Sequence, residues 1–321
     1  MKILIELPTW LGDAIMATSA IENIVNFAND VEITFIGSLV AIESLKNHPK
    51  VVKTAVLSKK YNDLYKISKE LDGFDIFFSF RSSIRSKFLK FLISAKNKYQ
   101  FDKNKYQNRH QVEKYNDFVN DSLKSDFTAG KLVLHTNNSK LNIAPLENTL
   151  GVKNSSLPLL GINPGASYGS AKRWYPQEFA KVARELSSEY NVIIFGSPSE
   201  TDIASDIEQG LIEKGVTNYK NLAGNTTITE LIHNIVSLDL FITGDSGPMH
   251  VAAAFQVPTV AVFGPTKDKE TSQWMNKKSV IVKKNLDCQP CMKRICPLQH
   301  HNCMKFIKSE DVLKAVASIK I

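Results

Sequence analysis

Three short stretches combine residue types able to hold and displace an anionic leaving group. The first is Thr243-Gly244-Asp245-Ser246-Gly247-Pro248-Met249-His250, where an apolar run ends in a glycine turn and opens into a helix. Pro248 suits a first helical turn, where its missing N–H costs nothing, and Gly247 lets backbone approach a ligand closely. The amides of a helix start carry about half a positive charge between them and suit a diphosphate, with Ser246 and His250 as added side-chain donors. The same residues also fit an ordinary helix capped by Asp245 or Ser246. The second stretch, Asn163-Pro164-Gly165-Ala166-Ser167-Tyr168-Gly169-Ser170-Ala171-Lys172-Arg173-Trp174, joins two small-residue turns to two cations. Lys172 suits a mobile point charge that neutralises a leaving group, and Trp174 reads as core. The third stretch is Pro8-Thr9-Trp10-Leu11-Gly12-Asp13. A carboxylate there is either a helix cap or, where it faces a substrate, a general base.

A fourth cluster has a different chemistry. Cys288, Cys291, Cys296 and Cys303 fall within 16 residues as C-x2-C-x4-C-x6-C, with His300 and His301 among them. Such crowding argues against a disulfide framework stapling distant parts of a secreted fold. It leaves three readings open: a structural metal, a local disulfide, or reduced and packed thiols. The second half lacks the C-x2-C pair usual in zinc sites, and nothing in the cluster offers an open catalytic position.

Elements that place these residues follow from the hydrophobic pattern. Apolar runs at 2–7, 31–37, 51–57 and 74–80 read as strands, and Ile15, Ala17, Ala20, Ile21, Ile24 and Val25 follow helical spacing between the first two. A polar stretch from about 120 to 158 reads as a connection. The pattern then restarts, with strands at 159–165, 191–196, 238–244 and 259–264, helices over 176–189 and around 200–214, and capping-box spacing at Thr227 and Glu230. The chain is therefore expected to be α/β, with two doubly wound Rossmann-like domains at 1–158 and 159–308. A C-terminal helix at 309–321, capped by Ser309, is expected to pack back on the first domain. Ligands of such sheets bind outside the carboxyl ends of the strands, where all three candidate loops fall.

Charge is unevenly spread. The chain carries 40 basic and 32 acidic residues, an excess of 8. Residues 81–114 hold ten basic and two acidic side chains, so this one segment accounts for the whole excess. A basic stretch on a neutral body implies a localised anionic partner. No apolar run reaches the roughly 18 residues needed to span a bilayer, and the start has an acid at Glu6 and no small-residue cleavage site, so a cytosolic protein is expected.

Taken together, the loops resemble the ADP-heptose:lipopolysaccharide heptosyltransferases, glycosyltransferase family 9. The resemblance covers nearly the whole chain: P-x-W-L-G-D, N-P-G-A-x-x-G-x-A-K-R-W, I-F-G-S-P-S-E, N-L-A-G-N-T-T, D-S-G-P-M-H-V-A-A-A and P-T-V-A-V-F-G-P-T. The stretch C-x2-C-x4-C-P-L-x-H-H-x-C-M resembles most the branch that adds the second inner-core heptose. The resemblance implies two GT-B domains facing a cleft, the first for the acceptor and the second for ADP-heptose. It implies Asp13 as base and Lys172 as the cation on the donor phosphates. Gly165, Ser167, Asp245, Ser246, Gly247 and His250 would also bind the donor, and Gly12, Asp13, Arg81, Arg85 and Lys87 the acceptor. No cofactor is implied, and Asn221-Leu222-Ala223-Gly224 offers no carboxylate for a ribose. The acceptor would be a Kdo-containing lipid A, met at the cytoplasmic face of the inner membrane by a peripheral enzyme.

Three rivals remain on the sequence. A two-domain nucleotide-sugar 2-epimerase shares the architecture but needs no acceptor, and the first rather than the second heptosyltransferase differs only in acceptor. A nucleic-acid binder would stack bases on Phe88, Phe91, Tyr99, Phe101 and Tyr106 of the basic segment. Those aromatics are expected to pack the sheet instead, and no nucleic-acid partner is expected.

Overall fold

The structure is a computed structural model that describes residues 1–58, 60–71, 73–136 and 157–319. The chain divides into two compact units, Met1–Asn137 and Asn138–Ile321, a division that falls before the expected boundary at 158. Most of the polar connection expected there, residues 137–156, lies outside the described residues.

The first unit holds one parallel sheet of β1 (Lys2–Glu6), β2 (Glu32–Gly37), β3 (Val51–Val56), β4 (Phe74–Ser79) and β5 (Ala95–Gln100), in the order β3-β2-β1-β4-β5. Register places Ile3 between Ile33 on β2 and Ile76 on β4. Ile3, Leu4, Ile5, Phe77 and Phe78 are fully buried, because a central parallel strand covered on both faces must be apolar on both. The two edges read differently. β3 is VVKTAV and β5 is AKNKYQ, and lysines on such edges discourage pairing with another chain.

The second unit repeats the plan with β6 (Leu159–Asn163), β7 (Asn191–Ile194), β8 (Tyr219–Asn221), β9 (Leu240–Gly244), β10 (Thr259–Val262) and β11 (Ser279–Val282), all parallel in the order β11-β10-β9-β6-β7-β8. Strand order reverses between β1 and β4 in one unit and between β6 and β9 in the other. Crevices open at such reversals, and the loops after these four strands, with the first turns of the helices they open into, carry every candidate residue outside the cysteine cluster except Arg85 and Lys87.

The final helix, Ser309–Ser318, corrects one expectation. Its apolar face, Val312, Ala315 and then Ile319, belongs to the second unit's own core with Val260, Val262 and Phe179, so it covers that sheet. Ser309 is its first residue and not its cap, and the Ser309 amide donates to Glu178 Oε2 at 2.8 Å.

Candidate active site

β9 is buried throughout and delivers Asp245 at its end. The carboxylate is 5% exposed; its Oδ2 accepts from Thr266 Oγ1 at 2.6 Å and lies 2.6 Å from Lys172 Nζ, whose side chain is 13% exposed. Lys172 also donates to the Asp245 carbonyl at 3.3 Å and stands 4.8 Å from the centre of the Tyr168 ring. A pair this dry persists only where further hydrogen bonds satisfy the carboxylate, and Thr266 supplies one. The geometry fixes a lysine beside the helix Gly247–Ala254.

Ser246 occupies the N-cap position of that helix, but its side chain makes no cap hydrogen bond. Its Oγ lies 3.0 Å from Thr243 Oγ1 and accepts from Asn163 Nδ2 at 3.3 Å. The reading of an ordinary side-chain-capped helix therefore gives way to a start whose amides no Ser246 hydroxyl covers. His250 is buried on the same helix, and Gly247 opens its first turn. In the facing loop Ser167 is exposed, and Gly165 is required sterically: a Cβ there would sit 2.1 Å from the carboxyl carbon of Glu200. That buried carboxylate accepts from the Ser197 amide at 2.9 Å and the Ser197 hydroxyl at 2.8 Å. Trp174 is core, 1% exposed, with Nε1 donating to the Ile307 carbonyl at 3.0 Å.

In the first unit the helix Leu11–Met16 follows β1 directly. Trp10 holds its N-cap position and Asp13 is its third residue, so Asp13 is a first-turn carboxylate and not the cap. Gly12 beside it is buried. Burial, and then the Asp13 charge, push the Tyr115 phenol well above its ordinary range, which places Tyr115 within the field of Asp13.

Glu6, the last residue of β1, is fully buried and was not among the expected residues. Its carboxylate accepts from Ser79 Oγ at 2.5 Å and Ser86 Oγ at 2.9 Å, and lies 3.4 Å from Arg81 Nη1. Burial raises its pKa, outweighing the lowering by Ser79, Arg81 and Ser86. A charged residue inside an apolar strand is the sequence signal for such a knot. Arg81 is thus tied to the strand ends, Arg85 donates to the Ser58 carbonyl, and Lys87 is exposed.

The basic stretch is not one patch. It is divided among the helix Ile84–Leu92, the edge strand β5 and the helix Gln111–Leu123, which the hydrophobic pattern did not reveal. Acids from elsewhere in the sequence pair with several of its cations: Lys96 with Asp75 at 2.7 Å, Lys105 with Asp121 at 2.5 Å, and Arg109 with Asp117 at 2.7 Å. Phe101 and Tyr106 are buried and stack at 5.7 Å, and Tyr99 packs on Phe78 at 5.5 Å, which removes three of the five aromatics a nucleic-acid surface would need.

Two groups bear on metals. Among the described residues, Glu22, His48 and His135 bring one ligand atom each within 4.8 Å of one another. The Lys50 amide donates to His48 Nδ1 at 3.1 Å, however, so a neutral ring carries its proton on Nε2 and donates to Glu22 Oε1 at 3.1 Å. A metal at Nε2 needs the opposite tautomer, and the cluster reads as a hydrogen-bonded clasp. The four cysteines line one cavity, and burial together with Cys296, Cys288 and Cys291 pushes the Cys303 thiol up to about 11. No described helix is long and apolar enough to cross a membrane.

Known proteins resemble the chain over nearly its whole length. Lipooligosaccharide heptosyltransferase 2 of Campylobacter jejuni (serotype O:2) is 43% identical, with 99% of this chain and 98% of that protein covered. The solved structure of Escherichia coli ADP-heptose LPS heptosyltransferase II matches with a TM-score of 0.82 at 22% identity, covering 99% of this chain and 98% of that one. E. coli heptosyltransferase WaaC with ADP matches less closely, with a TM-score of 0.74 at 14% identity and 99% of each chain covered. The model of glycosyltransferase family 9 (heptosyltransferase) matches residues 65–302, and the chain belongs to that family of glycosyl-transferring enzymes.

Proposed function

We propose that the protein transfers L-glycero-D-manno-heptose from ADP-heptose to the heptose already on Kdo-lipid A, adding the second heptose of the lipopolysaccharide inner core. The observation that carries this reading is the Lys172–Asp245 pair beside a helix start that Ser246 leaves uncapped. A diphosphate gains charge as it departs, so a cation and amides fixed before the reaction favour the transition state over the ground state. Asp245 then serves to hold Lys172 and not to meet the phosphates, since its carboxylate already serves Lys172 and Thr266. In one displacement the acceptor hydroxyl gives its proton to Asp13 and its oxygen bonds to the anomeric carbon, while the bond to the phosphate oxygen breaks and ADP leaves from the opposite face. Configuration inverts.

Arg81, Arg85 and Lys87 would meet the carboxylates and phosphates of the acceptor at the inner membrane face. The similarity to heptosyltransferase 2 of C. jejuni, at 43% identity over nearly all of both chains, supports the second heptose over the first. A mass-spectrometric assay with purified protein tests it. Heptose should pass from ADP-heptose to heptosyl-Kdo-lipid A and not to bare Kdo-lipid A; transfer only to the bare acceptor would make this the first heptosyltransferase. Conversion of ADP-heptose with no acceptor present would point to an epimerase.

A further inference from the structure

Residues 284–301, between β11 and the helix Asn302–Lys305, form no helix or strand. Hydrogen bonds to their backbone nonetheless set them against the loop that carries Lys172. The Ala171 amide donates to the Arg294 carbonyl at 3.0 Å, Tyr168 Oη donates to the Met292 carbonyl at 2.7 Å, and the Met292 amide donates to the Pro265 carbonyl at 2.9 Å, next to Thr266. Gly169 closes the contact, since a Cβ there would lie 2.4 Å from the Arg294 carbonyl oxygen and 2.9 Å from the Arg294 Cβ. Residue 294 is therefore held beside the 163–174 loop by its backbone.

The side chain at that place is exposed. Its guanidinium carbon stands 5.4 Å from the centre of the Tyr168 ring, the same ring that has Lys172 Nζ at 4.8 Å. Cations are drawn to the face of an aromatic ring, so one tyrosine gathers two of them from separate segments. Their circumstances differ. Lys172 is closed onto Asp245 at 2.6 Å, whereas among the described residues no carboxylate pairs with Arg294. Two like charges on one ring repel, and an anion that reaches both offsets that repulsion.

We infer that Arg294 binds the diphosphate of the donor, as a second cation beside Lys172 and the amides that open the helix Gly247–Ala254. This role rests on an ADP-sugar being the donor. Lys172 and Asp245 together carry no net charge, so their pair orients a phosphate without neutralising it. Arg294 supplies the uncompensated charge, and its planar fork of N–H groups matches two phosphate oxygens at once. Lys172, held in place before the reaction, favours the transition state. Arg294, at the solvent edge, captures donor and departing ADP alike; such uniform binding shows in KM more than in kcat.

Calorimetry of ADP binding to the full-length chain tests this, with wild type, Arg294→Gln and Arg294→Lys measured over a series of salt concentrations. Arg294→Gln should raise the ADP Kd about tenfold, with a smaller slope of log Kd against log salt because one fewer charge meets the phosphates, while Arg294→Lys keeps the slope. The melting temperature should stay at the wild-type value, since backbone groups hold residue 294. Donor KM should rise with the Kd, and kcat should change less. Unchanged Kd and salt slope in Arg294→Gln, with wild type binding ADP, would overturn the role of Arg294 alone. A lower melting temperature with an unchanged slope would make the arginine a structural residue and overturn the role too. Failure of wild type to bind ADP would remove the proposed donor and this role with it.

Discussion

At the carboxyl ends of their sheets the two units use similar parts to different effect. Each sets an acid at the reversal of strand order and gives it hydroxyl donors and one cation: Asp245 has Thr266 and Lys172, and Glu6 has Ser79, Ser86 and Arg81. Asp245 lies one residue past its strand, and its pair closes to 2.6 Å. Glu6 is still inside its strand, and its pair stands at 3.4 Å. Burial therefore dominates Glu6 and raises its pKa despite its partners. One unit presents a lysine on a carboxylate; the other braces an arginine on a buried acid and leaves the carboxylate proposed as base, Asp13, to the first turn of the helix that follows. Under the proposed reaction, the same fold fixes a cation where the leaving group would depart and a base where the proton would be lost.

If labour is divided this way, the largest effect falls on Asp13. Asp13→Ala should abolish measurable turnover, a loss at the upper end of the roughly 10²–10⁴-fold typical of a general base, while ADP affinity measured by calorimetry stays within error. Substantial transfer by this variant, or a parallel loss of ADP binding, would break the comparison. Lys172→Ala should lower kcat by about 100- to 1000-fold and weaken ADP binding as well. An unchanged ADP affinity would show that Lys172 serves only the Asp245 pair.

Stability should separate the two carboxylates next. Asp245→Asn leaves Lys172 without its ion partner and should cost about 3 kcal/mol in urea unfolding, the low end for a broken buried pair because Lys172 keeps some solvent. Glu6→Gln should cost less, since the fold already disfavours the charge it removes. The pH dependence has a definite sign. The folded pKa of Glu6 lies above the ordinary 4.5, so the folded state holds its proton more tightly, and stability from this group falls as pH rises from 4.5 through the folded value. The Glu6→Gln variant should lack that decline; identical pH profiles for variant and wild type would contradict the raised pKa.

Legibility in the sequence followed burial. Central strands such as β1, β4, β9 and β10 are apolar runs because both their faces are covered, and the loops after β1, β6 and β9 stand out as glycine turns against them. β5 and β8 stayed hidden: AKNKYQ and YKN lie at sheet edges, where lysine is tolerated and no apolar run forms. The residues at hand in the loops were legible; those that hold them were not. Thr266 lies 21 residues from Asp245, and Ser79 lies 73 from Glu6, and only the parallel register brings them together. The net charge of the 81–114 segment misled for the same reason, because Asp75, Asp117 and Asp121 lie outside it in sequence and beside it in space.

That neutralisation sets the smallest and most discriminating effect, within the first unit itself. Lys87 is exposed on the helix Ile84–Leu92, so Lys87→Gln should leave the melting temperature unchanged. Near an anionic surface one basic residue contributes about 1 kcal/mol, so acceptor KM should rise by about fivefold with donor KM unchanged. Arg81→Gln should behave differently, because it strands Glu6, lowering the melting temperature along with acceptor affinity. Equal behaviour of the two variants would mean that Arg81 meets the acceptor independently of Glu6, and the brace drawn from the 3.4 Å contact would have to be abandoned.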